Sequence, residues 1–301
     1  MRNVIVLLFA CIACSGDAPA TAPAEPAKPE APKPPPPPPK PEPILVQGGL
    51  SKPESALHDT TADVYLVSNI VGKSGEKDGK GFISRVSPGG EILALRWIDG
   101  LDAPKGMGIS GDALYVADLD RVRIFDRESG KARGSVKIKG ATFLNDIAVD
   151  GSGNVFVSDS GLEQYGPYME PNGKDAVYRL EGKKAVKLIG GKQLGNPDGL
   201  LADGGALYVV NKPGELYRVD GGSKGAATKL PKGSLDGIVK TEAGLMISSW
   251  DAKAVFLQKD DGFVPATAKI NSPADIGYDA KRKRLLIPLL TEKTLRIEPL
   301  Q

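Results

Sequence analysis

One phrase recurs along this chain. It runs turn, small or polar residue, short apolar run, Asp or Gly turn, then a second apolar run ending in a small or polar pair. The clearest copies are Leu144-Asn145-Asp146-Ile147-Ala148-Val149-Asp150 leading into Val155-Phe156-Val157-Ser158-Asp159, and Pro197-Asp198-Gly199-Leu200-Leu201-Ala202-Asp203 leading into Leu207-Tyr208-Val209-Val210-Asn211. The runs are rich in Val, Ile, Leu, Tyr and Phe and are cut by Gly, Asp, Asn and Pro. That is the pattern of strands and turns, and helical periodicity is nearly missing. Six copies open at Glu54, Lys105, Asn145, Asp198, Asp236 and Ala274, spaced by roughly 38 to 53 residues. A four-stranded repeat near 40 residues has the size of a propeller blade. The expected fold is all-β, a six-bladed β-propeller over residues 44–301. The sixth copy is short of one strand, and Pro43-Ile44-Leu45-Val46-Gln47 is expected to supply it and close the ring. The blades lack a recurrent Gly-His and Trp-Asp signature, which disfavours the commonest interaction-type propeller.

The residues ahead of this region belong to no core. Met1-Arg2-Asn3 is a basic start, and Val4–Ala10 is an apolar run too short to span a bilayer, as in a signal peptide. Cys11 and Cys14 are the chain's two cysteines, and each ends a stretch that resembles a bacterial lipoprotein cleavage box. Cys14 is the expected lipidation site because Ser15-Gly16-Asp17 makes a polar mature start. Residues 1–14 therefore read as signal peptide and lipobox. Residues 15–43 are mostly Ala, Pro, Glu and Lys, with unbroken proline from Pro34 to Pro39. Such a segment buries too little to order itself, and as an extended spacer it would reach on the order of 80 Å. The expected location is the bacterial cell envelope, lipid-anchored in the outer membrane and facing the periplasm.

Residues 44–301 hold no cysteine, so no disulfide supports them. The formal net charge is +2 with both signs interspersed, which gives no basic stripe for nucleic acid. A monomer acting on a small molecule is the expectation. Two stretches lengthen their copies: Gly72–Gly81 and Gly161–Lys174, the second containing Tyr165, Tyr168 and Met169. In a propeller such insertions fall in loops and can shape a site at one mouth of the channel.

The first strand of each blade lines the channel, so the six opening residues should form a ring of Glu54, Lys105, Asn145, Asp198, Asp236 and Ala274. Three carboxylates and an amide in one narrow space repel unless a cation joins them. Oxygen-only ligands suit calcium first and magnesium or manganese next; zinc fits least, since no His or Cys takes part. The Lys105 ammonium is the alternative partner for the carboxylates.

Pro53-Glu54, Leu144-Asn145-Asp146, Pro197-Asp198-Gly199-Leu200 and Leu235-Asp236-Gly237 resemble the motifs of the senescence marker protein/gluconolactonase family, also called regucalcin-like, from about Gly48 to the end. The resemblance implies that Glu54, Asp198 and Asp236 hold a divalent metal, with Asn145 on the substrate side; Lys105, which departs from the family's pattern, is a further candidate for binding substrate. It also implies hydrolysis of sugar lactones, with an acidic ligand, here Asp236, as base for water. Asp198 stands where the family usually carries Asn, which adds a negative charge. The competing reading is a propeller that binds a ligand or protein without chemistry, its Asp and Asn serving their own turns.

His58 is the sole histidine, so no Ser-His-Asp or Cys-His set exists, and it reads as a surface or strand-packing residue. Gly72-Lys73-Ser74 lacks the first glycine of a phosphate loop, where Val67 stands. Asp150-Gly151-Ser152-Gly153-Asn154 puts Val155 where a calcium loop needs Gly and reads as a hairpin turn. Trp250 reads as a packed side chain, although Trp250 and Asp251 stand close enough to a strand end to reach the mouth.

Overall fold

The structure, a computed structural model, describes residues 41–260 and 262–300. The signal peptide, the lipobox with Cys14 and nearly all of the proline-rich segment lie outside the described residues. The remainder forms six antiparallel sheets arranged as the blades of a β-propeller. The innermost strands are Pro53–Asp59, Pro104–Ser110, Leu144–Val149, Pro197–Asp203, Leu235–Thr241 and, in blade six, Gly277–Asp279. Blade six runs from Gly277–Asp279 through Arg284–Leu289 and Thr294–Pro299 to an outer strand, Ile44–Val46, taken from the other end of the chain. Ile44 pairs with Ile297 and Val46 with Leu295, so the ring closes as the repeat count predicts.

Apolar alternation drives the assembly. Each blade's two faces are buried against its two neighbours, and the buried residues sort into six clusters, one per seam. Between blades six and one, Val46, Ala56, Tyr65, Leu286, Leu295 and Ile297 interlock. Between blades four and five, Val210, Leu216, Ile238, Ile247 and Phe256 do the same. No blade can bury both faces alone, so closure completes the core.

The polar residues of the repeated phrase have defined tasks. Blades one to five each break register just after the opening residue, as between Pro53 and Ala56 or Leu235 and Ile238. This bulge leaves backbone N–H groups without a ladder partner. Serines ending the second strand accept them: Ser68 Oγ from Ser55, Ser158 Oγ from Asp146 and Ser248 Oγ from Gly237, at 2.8–2.9 Å. Ser158 and Ser248 then donate to the carbonyls of Asp198 and Ala274 in the next blade, at 2.6 and 2.8 Å. The residue after each serine position receives the incoming loop. Asp118 accepts from the N–H groups of Asp102 and Ala103, and Asp159 from those of Phe143 and Gly161. Asp150 accepts from the N–H groups of Ser152 and Asn154, which makes 150–154 the hairpin turn expected.

The two long insertions meet. In blade three a hairpin of Leu162–Tyr165 and Tyr168–Pro171 projects from the sheet. It backs onto the blade-one loop where Gly75 lies against Gln164 and Met169. Leu162 and Met169 cover a small apolar cluster of Ile70, Ala103, Leu119 and Phe143, and Lys77 pairs with Asp120 at 2.6 Å. These loops therefore form one cover over blades one to three at the mouth where the repeat openers stand.

Candidate functional site

The openers do gather at this mouth. Glu54, Lys105, Asn145, Asp236 and Ala274 are buried, and Asp198 is half-buried. In blades one to five the register break takes the opener out of the regular ladder. Glu54 makes no side-chain hydrogen bond among the described residues, and its Oε2 is buried without a partner. Asp236 Oδ1 is likewise buried and unpartnered, while its Oδ2 accepts the indole N–H of Trp250 at 2.7 Å. Asn145 donates its amide to Ser160 Oγ at 3.0 Å, which leaves its oxygen free.

Burial, and then the charge of Asp236, pushes Glu54 well above the usual carboxylate range. Burial followed by the charges of neighbouring aspartates does the same to Asp198 and Asp236. The three feel one another, as a shared space requires.

Lys105 is placed otherwise than the ion-pair alternative supposes. Its ammonium is 1% exposed and makes no salt bridge with the ring. It donates to the Ala103 carbonyl at 3.0 Å and the Ser74 carbonyl at 3.3 Å, and it sits 4.0 Å from the centre of the Phe143 ring. The blade-one loop supplies Ser74, so the cover holds the lysine out of direct contact with the carboxylates, which feel its charge only at a distance. Burial lowers its basicity against the opposing pull of Glu54.

Two other placements differ from expectation, and His58 takes the strand-packing role expected of it. Trp250 is a direct partner of Asp236 rather than only a packed ring, because the strand ends at Ser249 and the next turn swings the indole over the mouth. Its neighbour Asp251 turns away and accepts from Ser234. Tyr165 and Tyr168 line no deep pocket; they stand at the hairpin tip, 54% and 69% exposed. His58 lies at the other end of the inner strand, buried edge-on against Tyr65 and beside Asp63 and Asp279. Arg282 bridges those two aspartates, so this group clamps blade one to blade six.

A second layer lies one residue further along the axis: Ser55, Gly106, Asp146, Gly199, Gly237 and Asp275. Two buried carboxylates sit among glycines there. Asp146 accepts from the N–H groups of Ile147 and Leu200, and so ties blade three to blade four. Asp275 accepts from Ser55 Oγ at the six–one seam, and burial pushes its carboxyl up to about 7. Asp146 belonged to a motif already noted, whereas Asp275 carried no motif.

Among the described residues, no three His, Cys, Asp or Glu side chains form a ready-made ligand set. The chemistry of the ring nonetheless fits a hard divalent cation. Its donors are all oxygen, two of them are buried and unpartnered, and among the described residues no cation forms a salt bridge with them. The raised acids set a pH dependence. In the unfolded chain they ionise in the ordinary carboxylate range. Folded, they hold protons to higher pH, so the native state binds more protons and stability falls as pH rises through that window. Thermal melting in chelator should therefore show Tm falling on the order of 5 °C between pH 5 and 8. Calcium should recover most of the loss at pH 8 and little at pH 5. Melting temperatures independent of both variables would contradict the carboxylate assignment.

No protein-family profile matches the chain, and no curated protein matches it. Solved structures match by fold. One assigned as a gluconolactonase superposes with a TM-score of 0.64 at 18% identity, covering 85% of this chain and 91% of its own. A gluconolactonase from Xanthomonas campestris superposes with a TM-score of 0.58 at 19% identity, covering 88% of this chain and 99% of its own. At such identities the likeness is one of fold.

Proposed function

We propose that this chain is a divalent-metal-dependent hydrolase of sugar lactones or related esters, with calcium as the first choice of ion. The observation that carries the proposal is the pair of buried, unpartnered oxygens, Glu54 Oε2 and Asp236 Oδ1, facing one channel mouth from blades one and five. The gluconolactonases of like fold support the choice of substrate class. Glu54 and Asp236 would hold the ion, with Asp198 completing the set from blade four. A bound divalent ion would polarise a substrate carbonyl and make water more acidic.

The chain's own groups do the rest. Trp250 fixes one oxygen of Asp236 and so aims the other along the channel. That oxygen is the proton acceptor for the attacking water. The free oxygen of Asn145 accepts a substrate hydroxyl, and Lys105 presents positive charge beside it. The blade-one and blade-three insertions restrict water at this mouth. Carried at the end of a proline-rich stalk and anchored through Cys14 in the outer membrane, such an enzyme would meet oxidised sugars in the periplasm.

Trp250 also provides the assay. The chain has two tryptophans, and Trp97→Phe isolates the one bonded to Asp236. Excitation of Trp250 should sensitise emission from terbium bound at the mouth, and calcium should quench it by displacement. Trp250→Phe should remove the sensitised emission while calcium affinity by calorimetry falls only several-fold. Calcium-dependent turnover of gluconolactone completes the case. Binding without turnover would favour the ligand-holding propeller, and no binding would sink the metal site.

A further inference from the structure

The channel opens at the mouth opposite the ring, and that end has a different character. A vestibule of about 530 Å³ is lined by Leu57, Met107, Ile109, Ile147 and Leu200, with His58 and Arg127 at its edge. Deeper in, a cavity of about 310 Å³ continues between Leu57, Met107, Ile147, Leu200, Ile238 and Ile276 to a floor of Ser55, Asp146 and Asp275. Its walls combine these apolar side chains with His58, Lys240 and Tyr278, and its volume falls at the low end of small-molecule pockets, on the order of 300–1,000 Å³.

The floor carries two carboxyl groups and no basic partner. Among the described residues, no Lys, Arg or His makes a salt bridge with Asp146 or Asp275. The basic groups at the rim are already engaged: Arg127 by Asp59, Lys240 by Asp203, and His58 by Asp63 and Asp279. The two acids are not equivalent. Both oxygens of Asp146 accept backbone N–H groups, so its side chain is spent on the fold. Asp275 is 9% exposed; its Oδ2 accepts from Ser55, and its Oδ1 has no partner. Gly237 lets blade five approach this point closely, since a Cβ there would lie 2.3 Å from the Ile276 backbone nitrogen and 2.5 Å from Asp275 Oδ1. That oxygen opens onto the cavity, where an ammonium group can meet it directly.

We infer that this cavity is a second binding site, reached from the mouth opposite the metal ring, for the ammonium group of a small organic amine. One free carboxylate oxygen is too few for calcium, which takes six to eight oxygens. It suits a single ammonium, whose apolar body then replaces water along Ile147, Leu200, Ile238 and Ile276. The inference does not rest on the proposed hydrolysis, although the charge of Asp275 reaches Glu54, Asp198 and Asp236 in the neighbouring layer.

The probe is n-butylammonium, titrated calorimetrically into the full chain, with methyl NMR of its isoleucines and the indole N–H resonances in parallel. Saturable binding is expected, with shifts at the methyls of Ile147, Ile238 and Ile276. n-Butanol and butyrate, of the same size without the positive charge, should bind at least tenfold more weakly. Asp275→Asn keeps an acceptor for Ser55 and removes the charge, and it should weaken the amine at least tenfold. Equal binding of n-butanol, an affinity unchanged in Asp275→Asn, or shifts confined to the Trp250 indole at the other mouth would each overturn the inference. Should Asp275→Asn fail to fold, the three-probe comparison and the shift map on the unaltered chain decide alone.

Discussion

Asp236→Asn should weaken terbium and calcium binding on the order of a hundredfold and remove measurable lactone turnover, while leaving the fold intact. The Asn oxygen can still accept the Trp250 N–H, so the indole keeps its partner. What disappears is one of the two buried anionic oxygens at the mouth. A unit charge pair at 4 Å is worth about 4 kcal/mol at an effective dielectric of 20. A divalent ion doubles this figure, and relief of repulsion among Glu54, Asp198 and Asp236 offsets part of it. A net loss of about 3 kcal/mol corresponds to that hundredfold change. The apo protein should become more stable at pH 8, because one uncompensated acid is gone. Opposite signs for metal affinity and apo stability separate a metal ligand from a residue that merely packs. Unchanged affinity, or a destabilised apo protein with normal affinity, would count against the site.

Val46→Asp should unfold the propeller at far lower denaturant than Leu45→Asp, although the two positions are adjacent in one strand. Val46 is 1% exposed in the six–one seam and pairs with Leu295. Leu45 is 52% exposed on the other face. A carboxylate at Val46 meets Tyr65, Leu286 and Ile297 with no partner. Burying such a charge costs about 3–5 kcal/mol, or it expels the strand and opens the ring. At this chain size that is a fall in Tm of roughly 10 °C or more. The Leu45 change should stay within about 0.5 kcal/mol. Equal effects would mean that Ile44–Val46 does not close the ring.

The architecture was legible because the phrase encodes it twice. Apolar alternation marks the strands, and the polar pair at the end of each second strand marks the staple to the next blade. Ser158-Asp159 shows both functions: the serine joins two blades and the aspartate receives the next loop. The ring was legible because the opener stands at the same step of each copy. Its partners were hidden for physical reasons. The position of Trp250 depends on a turn conformation that no periodicity records. The lysine's separation from the acids depends on Ser74 and Phe143, which lie far from it in the chain. Asp275 was concealed by comparing only first positions. Reading the second positions as Ser55, Gly106, Asp146, Gly199, Gly237 and Asp275 exposes two acids among glycines.

The strand that closes blade six has a consequence for when the molecule comes into being. Ile44–Val46 leaves the ribosome first among the propeller's strands, yet its partner, Thr294–Pro299, leaves last. Throughout synthesis the early strand waits unpaired, and both ends of the nascent arc present apolar sheet faces. Joining residues so distant in sequence is a slow event. The fastener is therefore also the clock, since the mouth does not have all its walls until the last strand arrives.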